Sequence, residues 1–120
     1  MSDFDPTDLT NLSFAVCESM PGAVEDHPFG PEPTVFKVGG KLFALVSDMS
    51  GATGINLKVP PEDSEALCQI DGIAPGYHMS KKHWITVTFG PDTDPELLTE
   101  LIEDSYSLVR SKLTRKARLA

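Results

Sequence analysis

Thr34-Val35-Phe36-Lys37-Val38-Gly39-Gly40-Lys41-Leu42-Phe43-Ala44-Leu45-Val46 decides the fold. Two apolar-rich runs, Thr34–Val38 and Lys41–Val46, flank the Gly39-Gly40 pair. Both glycines can take positive φ, and a two-residue turn of that kind is a strong hairpin signal. Such a turn sets Val38 opposite Lys41 and Phe36 opposite Phe43. One face then carries Phe36, Val38, Phe43 and Leu45 and is expected to meet the core. The other carries Val35, Lys37, Leu42, Ala44 and Val46.

Downstream of the hairpin, Ser50-Gly51 and Gly54 mark a turn, and Gly54–Val59 reads as a third strand. It places Ile55, Leu57 and Val59 on one side, Asn56 and Lys58 on the other. Pro60-Pro61 stops it. Proline is tolerated in a first helical turn and acids are favoured there, so Glu62–Gln69 reads as a short helix. Ile73–Met79 is expected to form a short, irregular strand. Trp84–Phe89 alternates clearly, with Ile85, Val87 and Phe89 against Trp84, Thr86 and Thr88. Gly90–Pro95 turns, and Asp94-Pro95 starts a last helix. Leu98, Leu101, Ile102, Ser105 and Val109 share one face of that helix, which is expected to end near Ser111.

Upstream, residues 21–33 hold four of the ten prolines and two glycines, and read as loop. Before them, Asp5-Pro6-Thr7 starts a helix with Leu9, Leu12 and Val16 at helical spacing, and Pro21-Gly22 ends it. The acids Asp3, Asp5 and Asp8 suit capping and the helix dipole at that start. The resulting order is α-β-β-β-α-β-β-α. Short connections favour an antiparallel five-stranded sheet, and the terminal helices must bury their apolar stripes on one face of it. The expected fold is an α+β two-layer sandwich, one domain over residues 1–120.

The chain has 120 residues, 40% hydrophobic and 23% charged, as in an ordinary globular protein. Its formal net charge is −8, which opposes indiscriminate binding to nucleic acid or anionic lipid. The charge is uneven: residues 1–36 hold seven acids and no Lys or Arg, whereas Arg110, Lys112, Arg115, Lys116 and Arg118 crowd the end. Cys17 and Cys68 form no CxxC pair or zinc spacing and read as small apolar residues of a reduced compartment. The acidic start is unlike a signal peptide, and no run is long and apolar enough to cross a membrane. A cytoplasmic protein without membrane contact is expected, with a monomer favoured and the oligomeric state left open.

Several segments, in order, resemble the MmcQ/YjbR family. They are Met20-Pro21-Gly22-Ala23 with Glu25 and Pro28-Phe29-Gly30, then Phe36–Ala44, then Asn56-Leu57-Lys58. The most distinctive is Pro75-Gly76-Tyr77-His78-Met79-Ser80-Lys81-Lys82-His83-Trp84, and Ser105-Tyr106-Ser107-Leu108-Val109 completes the set. The resemblance implies a fold similar to the frataxin (CyaY-like) sandwich and a DNA-binding role through a "double-wing" motif. It implies no enzymatic reaction.

Three groups of residues are candidates for binding. If the helices cover one sheet face, Asn56, Lys58, Trp84, Thr86 and Thr88 point to the other and could form an open platform. There the indole could stack on a base and Lys58 could meet a phosphate. His78, Lys81, Lys82 and His83 form a cationic loop that could hold an anion or a nucleic-acid backbone, with Lys41 near it at the hairpin tip. Arg115 and Lys116 belong to the basic tail, which the helix dipole also explains.

His78 and His83 are five apart, a poor spacing for a shared metal, and His27 lies in a distant loop, so no metal site is expected. Ser80 near His78 and His83 lacks an orienting acid and an oxyanion motif, so no catalytic group is expected. No glycine pattern for a nucleotide cofactor is present, and no cofactor is expected. What the resemblance implies, together with these local cations, is a non-enzymatic protein that binds DNA weakly. Alternatives are a protein-interaction module using the open sheet face, and a small anionic-ligand or enzymatic site near Tyr77, His78 and Lys81.

Overall fold

In the computed structural model, residues 6–28, 30, 33–49, 52–76 and 80–115 are described. The elements are α1 (Pro6–Ser19), β1 (Val24–Asp26), β2 (Thr34–Val38), β3 (Lys41–Met49), β4 (Ala52–Lys58), α2 (Pro61–Leu67), β5 (Ile73–Pro75), β6 (Trp84–Thr88) and α3 (Pro95–Ser111). The strands form one antiparallel sheet in the order β1-β2-β3-β4-β6-β5. Strands β4 and β5 flank β6 and run the same way, so α2 carries the chain across β6. Helices α1 and α3 pack on each other and against β3 and β4. No described helix is long and apolar enough to cross a membrane.

The cap of α3 acts where the sequence places it. Asp94 accepts a hydrogen bond from the Glu96 N–H at 3.0 Å, and Pro95 fills the first turn. The buried stripe of α3 is Leu98, Leu101, Ile102, Ser105, Tyr106 and Val109. In α1 the fully buried residues are Leu9, Ser13 and Cys17, with Leu12 and Val16 flanking them half-buried. Ser13 is tolerated there because its hydroxyl donates to Leu9 O at 2.8 Å. Aromatic rings join the layers: Phe14 meets Phe36 edge-on at 5.6 Å between centroids, and Phe43 meets Tyr106 at 5.4 Å.

The sheet has six strands rather than five. The additional one, β1, lies in the segment read as loop. Val24-Glu25-Asp26 has little strand propensity, and pairing with β2 makes the strand: Asp26 reaches across to Lys37 at 3.2 Å. That pairing, together with the His27 N–H donating to its side chain, holds the Asp26 carboxyl below its ordinary range. Of the expected strand Ile73–Met79, β5 occupies Ile73–Pro75, and residues 77–79 lie outside the described set.

The hairpin departs from the simple register. Val38 does pair with Lys41, but Phe36 pairs with Ala44, which leaves Phe43 as the extra residue of a β-bulge. Consecutive Phe43 and Ala44 are therefore both fully buried. Beyond the bulge the alternation inverts. Ala44 and Val46 face the helices in line with Phe36, Ile55, Leu57 and Ile85. Leu45 turns to the other face, in line with Val35, Asn56 and Thr86.

Candidate functional site

One end of the sheet gathers most of the candidate side chains. Because neighbours are antiparallel, β3 begins where β4 ends, and β6 begins beside it with Lys58 paired to Trp84. The C-terminal end of α3 closes over this end. Gly39, at φ +58°, lies so close to Leu113 that a Cβ would stand 2.5 Å from its Cδ1. Glycine here meets two demands at once, a left-handed turn and a tight hairpin-to-helix contact.

The result is a cleft of about 320 Å³ lined by Lys41, Leu42, Lys58, Trp84, Val109, Lys112 and Leu113. Leucine and valine supply apolar walls, the half-buried indole supplies an aromatic surface, and three lysines supply positive charge. None of Lys41, Lys58 and Lys112 forms an ion pair with a described residue. In a chain of net charge −8, three such cations gather around one concavity. Lys112 also sits where the α3 dipole favours a cation.

The backbone under this cleft is fixed. The Lys58 N–H donates to Ser105 Oγ at 2.8 Å. The Trp84 N–H donates to Ser80 O at 3.0 Å, and Trp84 O accepts from the Gly76 N–H at 2.8 Å. A Cβ on residue 76 would stand 2.8 Å from Trp84 Cβ, so only glycine lets that strand lie against the tryptophan.

The structure brings Lys58 and Trp84 together and adds Lys41 and Lys112. Lys81, Lys82 and His83 form the exposed turn directly before Trp84, and Lys81 Nζ donates to Gly76 O at 3.3 Å. They adjoin the cleft in sequence but do not line it. Arg115 is exposed just past α3. His78 and Lys116 lie outside the described residues, as do Tyr77, Asp3 and Asp5.

The wider platform expected on the sheet is narrower than its parity suggested. Asn56 and Thr86 are only 3% and 6% exposed, and the Thr86 hydroxyl donates to Asn56 Oδ1. Thr88 alone of the threonines there is exposed. At the opposite end, Ile70, Ile73, Val87 and Leu98 line an apolar void of about 40 Å³ rimmed by Asp71, Asp92 and Asp94. His27 is bound up with Glu25 at 2.8 Å. The Cys17 thiol is pushed up to about 12, by burial first and by the Glu18 charge second, so it is not a nucleophile near neutral pH.

A family model described as YjbR matches residues 18–108. The chain belongs to the YjbR family. The segments that suggested it, from Met20 through Trp84 to Leu108, lie within that match, and Val109 falls one residue beyond it. Among family relatives, the uncharacterised protein YbdF of Escherichia coli O157:H7 is 50% identical over 90 residues, covering 74% of each chain. The uncharacterised protein YyaQ of Bacillus subtilis (strain 168) is 47% identical over 57 residues, 47% of this chain and 48% of that one. The crystal structure of Deinococcus radiodurans protein DR2400, with its DUF419 domain, superposes with a TM-score of 0.80 at 41% identity, covering 94% of this chain and 84% of that one. A crystal structure of a Pseudomonas syringae protein gives 0.72 at 32% identity, over 78% and 92% of the two chains.

Proposed function

We propose that this YjbR-family protein is a non-enzymatic DNA-binding protein whose contact surface is the lysine-lined end of the sheet. The observation that supports this is the convergence of Lys41, Lys58 and Lys112 with Trp84 around one cleft in an otherwise acidic molecule. Lysines meet phosphates as point charges, and an indole offers a face to a base. Lys81 and Lys82, in the exposed turn before Trp84 with His83, extend the positive border, and the basic tail that includes Arg115 and Lys116 is the remaining candidate contact. The two free cysteines suit a reducing compartment, and we place the protein in the cytoplasm. We also propose that the sandwich is of the CyaY-like type, as the resemblance implies.

The test is anisotropy of labelled DNA at about 50 and about 200 mM salt, since phosphate contacts weaken steeply over that range. Binding at the lower salt, weakened at the higher, is expected, along with its loss in the Lys41→Ala/Lys58→Ala/Lys112→Ala variant. No binding at the lower salt, or binding unchanged in the variant, contradicts the proposal.

The concavity of the cleft favours a second reading, a small anionic ligand. Thermal-shift measurements with phosphates and carboxylates decide it: a rise in melting temperature that Lys112→Ala abolishes supports it, and a flat response rejects it. The burial of Asn56 and Thr86 leaves the third reading, a protein docked on the open sheet face, the least contact area.

A further inference from the structure

Building on the DNA-binding reading, we infer that the cleft takes single-stranded rather than duplex DNA, with one unstacked base against Trp84 and neighbouring phosphates on Lys41, Lys58 and Lys112.

Shape carries the first part of the argument. The lysines surround a concavity whose walls come from two directions, the sheet end on one side and Val109, Lys112 and Leu113 of the α3 end on the other. A duplex is a stiff convex rod and presents its phosphates on the outside. It can touch the rim but cannot enter a cleft of about 320 Å³. A single strand bends within a few nucleotides and can thread it.

Chemistry carries the second part. Duplex bases are stacked, so their faces are closed to an indole, whereas every unpaired base has an open face. Trp84 is half-buried, and its backbone is held on both sides, by Ser80 and by Gly76, so the residue is anchored at the mouth of the cleft. The leucine and valine walls suit a base, and the lysines suit the phosphates on either side of it. Charge then limits the footprint. Glu62 and Asp63 begin α2 only a few residues beyond Lys58, and past the border of Lys81, Lys82 and Arg115 the balance of charge is acidic. A strand longer than the cleft meets repulsion, so affinity should level off at short lengths. With three phosphate contacts on single-stranded DNA, log K should fall with log salt with a slope of roughly −2.

Trp84 is the sole tryptophan of the chain, so its emission reports the site directly. The experiment titrates the intact protein with a single-stranded octanucleotide, its blunt duplex and a deoxymononucleotide at about 50 mM salt. The octanucleotide should quench the emission and bind at least ~10-fold more tightly than the duplex, as expected where a stacked base is worth about 1–3 kcal/mol. In anisotropy with the labelled octanucleotide, Trp84→Phe should bind within about threefold of the parent and Trp84→Ala at least ~5-fold more weakly. Should Trp84→Ala fail to fold by circular dichroism, Lys112→Ala serves instead, with the same weakening expected. Duplex binding as tight as the octanucleotide, without quenching, overturns the single-strand inference and leaves DNA binding standing. A mononucleotide that binds as tightly as the octanucleotide overturns both, as does the absence of binding by any DNA.

Discussion

Ser105 on α3 and Phe43 on β3 are joined where the sheet is irregular: Ser105 Oγ donates to Phe43 O at 2.6 Å. Ser105 Oγ in turn accepts the Lys58 N–H at 2.8 Å. The β3–β4 pairing stops at Ala44–Leu57, one residue short of these two groups. The bulge at Phe43 thus costs the ladder a bond, and a helix side chain restores both partners. This bridge also anchors the strand end that presents Lys58 to the cleft.

Ser105→Ala removes both bonds at a fully buried site. Each orphaned buried group costs about 1–3 kcal/mol, so a loss of roughly 2–6 kcal/mol in unfolding free energy is expected. Urea denaturation measures it. A loss within about 0.5 kcal/mol of zero, typical of a surface change, contradicts the bridging role.

Gly39→Ala places a methyl group 2.5 Å from Leu113 Cδ1 in a residue at φ +58°. The left-handed backbone alone costs about 1–2 kcal/mol. The contact also makes the Leu113 side chain swing aside and opens the cleft wall it shares with Trp84, so Trp84 emission should shift towards that of an exposed indole. Loss of stability without that shift separates the backbone effect from the packing effect.

Asp26 gives the pH dependence. Its folded pKa is depressed, chiefly by Lys37, so the pair's contribution is present above the ordinary carboxylate value of 3.8 and is lost as pH falls through the folded value. The group is exposed, and the effect on stability is small. NMR titration of the Asp26 carboxyl should give a midpoint below 3.8 that rises on Lys37→Met. A midpoint at or above 3.8 in the parent protein contradicts the pairing.

The parts legible in the sequence are those fixed by local chemistry. Asp94-Pro95 starts α3 because a cap and a proline act within one turn, and Gly39-Gly40 turns because only two φ values are involved. The bulge was not legible, since Ala44, Leu45 and Val46 are apolar on either parity and alternation cannot choose between them. Strand β1 was not legible because its partner, rather than its own residues, makes it extended. The site divides in the same way. Strand parity pairs Lys58 with Trp84, but Lys112 joins them only through the tertiary path of α3. Its sequence signals are its place in the basic end of the chain and an apolar Leu113 that continues the buried stripe of Val109 past Ser111, towards the hairpin tip.

The most direct measurement is amide NMR of the labelled protein titrated with single-stranded DNA at about 50 mM salt. Shifts should concentrate at Lys41, Leu42, Lys58, Trp84, Lys112 and Leu113, with residues around Ile70 and Asp92 unmoved. An unperturbed spectrum, or shifts centred on the acidic end, would contradict DNA binding at the lysine-lined cleft.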